Sequence, residues 1–181
     1  MAQWQTWIVA ALCIVVTGSD LYARRVPNTA LLVALCLGTV ALCIPGSTGT
    51  HGGAAAGAGL AGGLLVFFPL YLLRWMGAGD VKFLATLGFL LGPLALGWIW
   101  LVSVPLLLAH MVLARLAQRL SPWLALQPAL DMITSPHSPL AQARDSLHTH
   151  LQAARGTRRG APYAAHLGIA TLVLLASGRL A

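Results

Sequence analysis

Apolar runs separated by short polar turns fill most of this chain, and few folds can accommodate them. The runs fall near 4–19, 29–44, 52–75, 81–91, 94–115 and 161–177. With 58% hydrophobic residues in 181 and a mean hydropathy of +0.80, a water-soluble fold would have to bury nearly every helix on all sides. A globule of this size cannot do that. The pattern predicts an all-α polytopic membrane protein of about six transmembrane helices, forming a single integral-membrane domain over 1–181. The polar segment over about 119–160 is its one long connection.

The breaks between runs carry turn chemistry. Asp20 to Asn28 is polar and contains Pro27, Pro45 to Thr50 is uncharged and rich in turn residues, and Pro162 suits the first turn of the last span. Gly92-Pro93 divides the fourth run from the fifth. That leaves a fourth helix rising only about 18 Å against a hydrocarbon core of roughly 30 Å. Either its turn falls later, near Gly97, or the helix begins below the surface in a protein-lined depression. In the third run Gly49, Gly53 and Gly57 are four apart, as are Gly59 and Gly63, a spacing that lets a neighbouring backbone approach closely.

Charge sets the expected orientation. The formal net charge is +7, but the basic residues flank apolar runs and do not interleave with aromatic ones, so nucleic acid is not the expected partner. With the amino terminus outside, ten of the eleven basic residues face inward, and only Arg179 is outside. Both termini are then on the outer side and the 119–160 connection is cytoplasmic. The first run lacks a basic leader and a cleavage site, and reads as a retained span. Cys13, Cys36 and Cys43 form no metal-binding spacing and read as small buried hydrophobes.

Against this background the four acidic residues, all aspartates, are informative. Asp131 and Asp145 belong to the polar stretch and read as solvated. Asp20 closes the first run, Asp80 opens the fourth within Gly77-Ala78-Gly79-Asp80-Val81-Lys82, and the span count puts both on the same membrane face. Two carboxyl groups sharing a proton can hydrolyse an amide: the ionised one takes a proton from water while the protonated one donates to the carbonyl oxygen. Each aspartate also has an ordinary reading, Asp80 as a helix cap and Asp20 as a helix-end residue paired with Arg24 or Arg25. Gly77 and Gly79 would supply unusual backbone angles and let an extended substrate approach. Lys82 would meet lipid phosphate or offset negative charge. Ser19, Ser103 and Ser177 lack a basic partner, and a chain without glutamate has no H-E-x-x-H site. His137, His148 and His150 make too weak a set to assign a metal, and His110 reads as a packing or interfacial residue.

With these residues in view, the chain resembles the type IV prepilin peptidase family of GxGD membrane aspartyl proteases. Gly77-Ala78-Gly79-Asp80-Val81-Lys82 is similar to its second catalytic segment, and Asp20 followed by Arg24-Arg25-Val26-Pro27-Asn28 is similar to its first aspartate and the turn after it. Pro162-Tyr163 looks like a further family feature. The resemblance implies an inner-membrane aspartic endopeptidase that cleaves prepilin or pseudopilin leaders on the cytoplasmic side. It implies Asp20 and Asp80 as catalytic residues, with Gly77, Gly79, Lys82, Pro27 and Asn28 shaping the site or contacting substrate. Neither cofactor nor metal is expected. Membrane lipids and pilus or secretion assembly proteins are the further partners. The size and the absence of paired C-x-x-C motifs resemble the compact branch serving Flp-type pili, and put N-methylation of the product in doubt. The competing reading is a noncatalytic membrane assembly component of such a system.

Overall fold

A computed structural model describes residues 3–44, 52–120, 149 and 163–180. Six helices carry them: α1 (Gln3–Ala23), α2 (Asn28–Cys43), α3 (Gly53–Leu72), α4 (Ala78–Leu91), α5 (Pro93–Leu120) and α6 (Tyr163–Ala176). The protein is all-α among its described residues. Three stretches, Trp4–Ala23 of α1, Gly53–Leu72 of α3 and Pro93–Ala117 of α5, are long and apolar enough to cross a membrane. α2 and α6 are apolar but shorter. Of the polar stretch over about 119–160, only Arg119, Leu120 and Thr149 fall among the described residues. Pro162 and Gly49 lie outside them.

The chain divides into two compact units, Met1–Leu106 with Pro162–Ala181, and Leu107–Ala161. In the second unit the described residues are Thr149 and the end of α5, which includes His110 and is exposed from Leu108 to Ala117. The first unit holds the core and everything discussed below.

Helical periodicity builds that core. α1 buries Gln5, Val9, Leu12, Cys13, Val16 and Asp20, one stripe at spacings of three and four. α2 buries Leu31, Ala34, Gly38 and Ala41, and α3 buries Ala56, Gly59, Gly63 and Phe67 in the same manner. The opposite faces are apolar too: Ile14, Leu32 and Leu65 are all exposed, Leu65 by 75%. A surface so rich in large hydrophobic side chains matches a lipid solvent and not water. Cys36 and Cys43 lie on this exposed face of α2, whereas Cys13 is buried. The expectation that all three are buried therefore fails for two, because an apolar run destined for lipid gives no sign of which face turns inward.

α4 departs from the single-stripe pattern. Val81, Phe83 to Gly88, Leu90 and Leu91 are all buried, so the helix is enclosed on nearly every side. Its neighbours are α1, α2, α3 and α6. The pairing with α3 is backbone against backbone. A Cβ on Gly59 would overlap the Gly88 carbonyl, one on Gly88 would overlap the Gly59 carbonyl, and one on Gly63 would sit 2.6 Å from the Ala85 Cα. Gly38 of α2 likewise admits the Leu90 and Phe89 side chains, and Gly168 of α6 admits Thr17 of α1. Small residues let these helices touch where no hydrophobic difference between protein and lipid would drive them together. Gly53 and Gly57, in contrast, face open space.

α4 ends at Leu91, not near Gly97. Gly92 turns the chain with φ 85° and ψ 169°, a region essentially closed to residues with a Cβ, and Pro93 starts α5 at once. α5 then continues through Pro105. Gly92→Ala should lower stability by about 1–3 kcal/mol, which a thermal unfolding midpoint in detergent will show.

Candidate active site

α1 reaches Asp20 in its last turn. Arg24 then adopts φ 51°, its amide bonded 3.0 Å to the Asp20 carbonyl, and this left-handed residue stops the helix. Ser19 Oγ donates to the Arg25 carbonyl at 2.8 Å, fixing the turn. Pro27, with φ −72° and ψ 115°, caps the start of α2, and Asn28 is that helix's first residue. Asp20 itself is 6% exposed, which brings its carboxylate against the first turn of α6. There the Ala165 amide donates to Asp20 Oδ2 at 2.9 Å. Arg24 and the buried His166 lie within electrostatic reach of the same carboxylate.

Asp80 arrives from α4. The connection from α3 turns at Arg74, another non-glycine residue with positive φ (60°), and Gly77 then caps α4 in an extended conformation, φ −73° and ψ 147°. Asp80 is the third residue of the helix. Its Oδ2 accepts the Gly77 amide at 3.1 Å, the return bond of a capping box. The capping contribution foreseen for Asp80 is present, made from inside the first turn and not from the cap position.

The two glycines of the motif act through space and not through backbone angle. Neither has positive φ, contrary to the expectation that they supply angles closed to other residues. A Cβ on Gly79 would meet Val26 Cβ and Cγ2 at 3.0 Å, so this glycine lets α4 press against the turn that follows Asp20. A Cβ on Gly77 would lie 3.0 Å from Asp80 Oδ2. Gly79 thus joins the Asp80 segment to the Asp20 segment.

Asp20 and Asp80, sixty residues apart in sequence, come within electrostatic reach of one another and of the first turn of α6. Lys82 is exposed, and two residues beyond Asp80 it projects from a different side of the helix. Asn28 is also exposed and Pro27 partly buried. Their places are in the turn itself.

Further polar groups lie near the site, of which His166 carried no signal in the linear chain. His166 is 6% exposed within an apolar run, and Ser103 is completely buried. Ser103 Oγ donates to the Trp100 carbonyl at 2.9 Å, and Tyr163, which opens α6, is within electrostatic reach of Asp80. A buried polar side chain among apolar residues looks the same in sequence whether it faces a partner or lipid. Only the helix packing distinguishes the two. Among the described residues, no three His, Cys, Asp or Glu side chains gather into a metal-binding group.

Residues 7–117 match the type IV leader peptidase family. That segment runs from the first turns of α1 into α5 and contains both aspartates. No curated protein and no solved structure matches the chain significantly.

Proposed function

The chain belongs to the type IV leader peptidase family, and from that premise we propose that it is an aspartic endopeptidase with Asp20 and Asp80 as its catalytic pair. Its substrates are prepilin- or pseudopilin-type precursors, cut between leader and apolar helix at the cytoplasmic face of the inner membrane. One observation supports the reading: Asp20 bonds the first turn of α6 at Ala165, and its charge reaches Asp80 from a segment sixty residues away.

In the proposed reaction the pair holds one proton between its two members. The ionised carboxylate takes a proton from a water molecule as the water oxygen bonds to the scissile carbonyl carbon. The protonated partner donates to the carbonyl oxygen, and collapse of the tetrahedral species breaks the C–N bond as the amine leaves with a proton. Each carboxylate has its Oδ2 committed to an amide, Ala165 for Asp20 and Gly77 for Asp80, which fixes its orientation toward water and substrate. Gly77, Gly79, Pro27 and Asn28 shape the approach, and Lys82 serves the lipid boundary. The basic residues Arg24, Arg25 and Lys82 disfavour a purely electrostatic capture of a positive leader, so apolar docking carries part of the affinity.

The topology that goes with this reading has six spans, both termini outside and one multi-pass domain over 1–181, with a cytoplasmic connection at about 119–160. The chain would be of the compact branch, without the cysteine-paired insertion. Single cysteines at positions 23 and 78 of a variant lacking the three native ones should resist an impermeant maleimide in intact cells and react once the inner face is opened. Labelling of position 23 in intact cells would reverse the orientation.

The cap made by Asp80 favours a second reading, a noncatalytic assembly component in which the aspartates only finish helices. Membranes carrying the chain, incubated with a precursor having a short basic leader on an apolar helix, separate the two. Mass spectrometry should find two products that sum to the precursor plus one water. An intact precursor under conditions where a known leader peptidase cleaves it would remove the enzymatic proposal.

A further inference from the structure

We infer that Gly168 is a positioning residue for Asp20: having no side chain, it sets the α1–α6 spacing at which the Ala165 amide reaches the carboxylate. The inference rests on the peptidase reading above and extends it to a residue beyond the 7–117 match. α1 and α6 pack against each other, and two close approaches fix how they do so. The Ala165 amide donates to Asp20 Oδ2 at 2.9 Å, and a Cβ on Gly168 would stand 2.2 Å from Thr17 Oγ1. Thr17 lies three residues before Asp20, and Gly168 lies three residues after Ala165. The helices therefore run antiparallel here, and both steps carry about 4.5 Å along the axis in the same direction. Residues three apart share a helix face, so the contact and the bond sit one turn apart on one seam. Neither can change its spacing without the other.

An alanine at position 168 would have to open that seam. For its Cβ to reach the 3.4 Å of ordinary contact, Thr17 Oγ1 must retreat by about 1 Å. Thr17 has little room to turn aside, because threonine in a helix is held to two χ1 rotamers. The strain passes to the helices, and a separation of about 1 Å takes the Ala165 amide out of hydrogen-bond range of Asp20. The size of the threonine makes the contact and not its hydrogen bonding, since Oγ1 is buried with no hydrogen-bond partner among the described residues. Removing that oxygen gives the space back. The Thr17 Cβ would then lie 3.6 Å from an alanine Cβ at 168, an ordinary contact, and the Cys13 carbonyl, at 3.2 Å, need yield only a few tenths of an ångström.

The test measures kcat and KM for cleavage of the leader–helix precursor by purified protein, normalised to the folded fraction from gel filtration. Gly168→Ala is expected to lower kcat about 10–100-fold, the loss that follows when a reacting group is displaced by about 1 Å. KM should stay within about twofold of parental, because the change acts on the carboxylate and not on substrate docking. The double variant Thr17→Ala/Gly168→Ala should fold and recover kcat to within about threefold of parental, since the two changes share one contact. Gly38→Ala is the control for packing alone. Its Cβ would meet Leu90 Cδ2 at 2.7 Å, about 15 Å along α4 from Asp80, so it should lower the thermal midpoint and leave kcat intact. Parental kcat in folded Gly168→Ala, a loss confined to KM, a double variant that stays as slow as Gly168→Ala or does not fold, or an equal kcat loss in Gly38→Ala would each overturn the inference. If Gly168→Ala yields no folded protein, the double variant and Gly38→Ala decide by the same criteria. None of these outcomes touches the peptidase reading so long as Asp20→Asn and Asp80→Asn remain inactive; if those two variants cleave normally, the peptidase reading fails first and the inference with it.

Discussion

Asp20→Asn and Asp80→Asn should each cut leader cleavage by about a thousandfold or more while leaving the protein folded. Asparagine has nearly the shape of aspartate, and its amide oxygen can still accept the bond that each carboxylate takes now, from Ala165 or from Gly77. The structural role therefore survives the change. What asparagine cannot do is accept a proton from water or lend one to a carbonyl, and positioned acid–base groups contribute on the order of 10²–10⁴-fold each. The double variant should be scarcely slower than either single one, since groups that act as a unit do not contribute additively. Single-turnover rates with excess enzyme, together with gel-filtration profiles of each variant, make the measurement. Parental rates in well-folded protein would mean that the aspartates finish helices and nothing more.

The largest effect on stability should come from Gly59→Ala. A Cβ there runs into the Gly88 carbonyl, and Gly88 has no side chain that could swing away. Relief requires moving a helix, and α4 is also packed against α1, α2 and α6. Overpacking of this kind costs typically 1–3 kcal/mol. We expect the upper end, about 3 kcal/mol, because the obstruction is backbone on both sides. Gly62→Ala, three residues along the same helix, meets nothing within 4 Å. It should be neutral or stabilise by up to about 1 kcal/mol through helix propensity. Denaturation in mild detergent would rank the two, and equal midpoints would show that the α3–α4 contact is looser than described.

The sequence announced the helices more clearly than their faces. The breaks at Pro27 and Gly92-Pro93 were readable because proline and glycine act locally, and α2 and α4 begin and end close to where those residues put them. α5 runs to Leu120, beyond the expected limit near residue 115, since its polar end is still compatible with a helix. Which glycines touch a neighbour was only half legible: the spacing singled out Gly59 and Gly63 correctly, but marked Gly53 and Gly57 with the same weight. Periodicity identifies a stripe of small residues without saying whether another helix lies against it.

The site followed the same division. Asp20 and Asp80 stood out because charge is scarce in an apolar chain. The reason for Gly79 did not, because the 3.0 Å approach of Val26 depends on how a distant turn folds. His166 sat unnoticed in an apolar run for a related reason, the segments around it being far away in the chain, whereas Ser103 and Tyr163 showed only as a serine without a basic partner and as part of the Pro162-Tyr163 feature.

The enclosure of α4 bears on how the protein tolerates different lipids. A bilayer that thickens or thins acts on helices whose flanks touch acyl chains, making them tilt or the lipid deform, at fractions of a kcal/mol per ångström. α1, α3 and α5 have the length and the exposed flanks to absorb such strain. The helix bearing Asp80 is sheathed by protein, so changes in acyl-chain length would reach it only through its neighbours. Reconstitution in short- and long-chain phospholipids should leave the immediate setting of that aspartate largely unchanged, although the outer wall of the molecule adjusts its tilt.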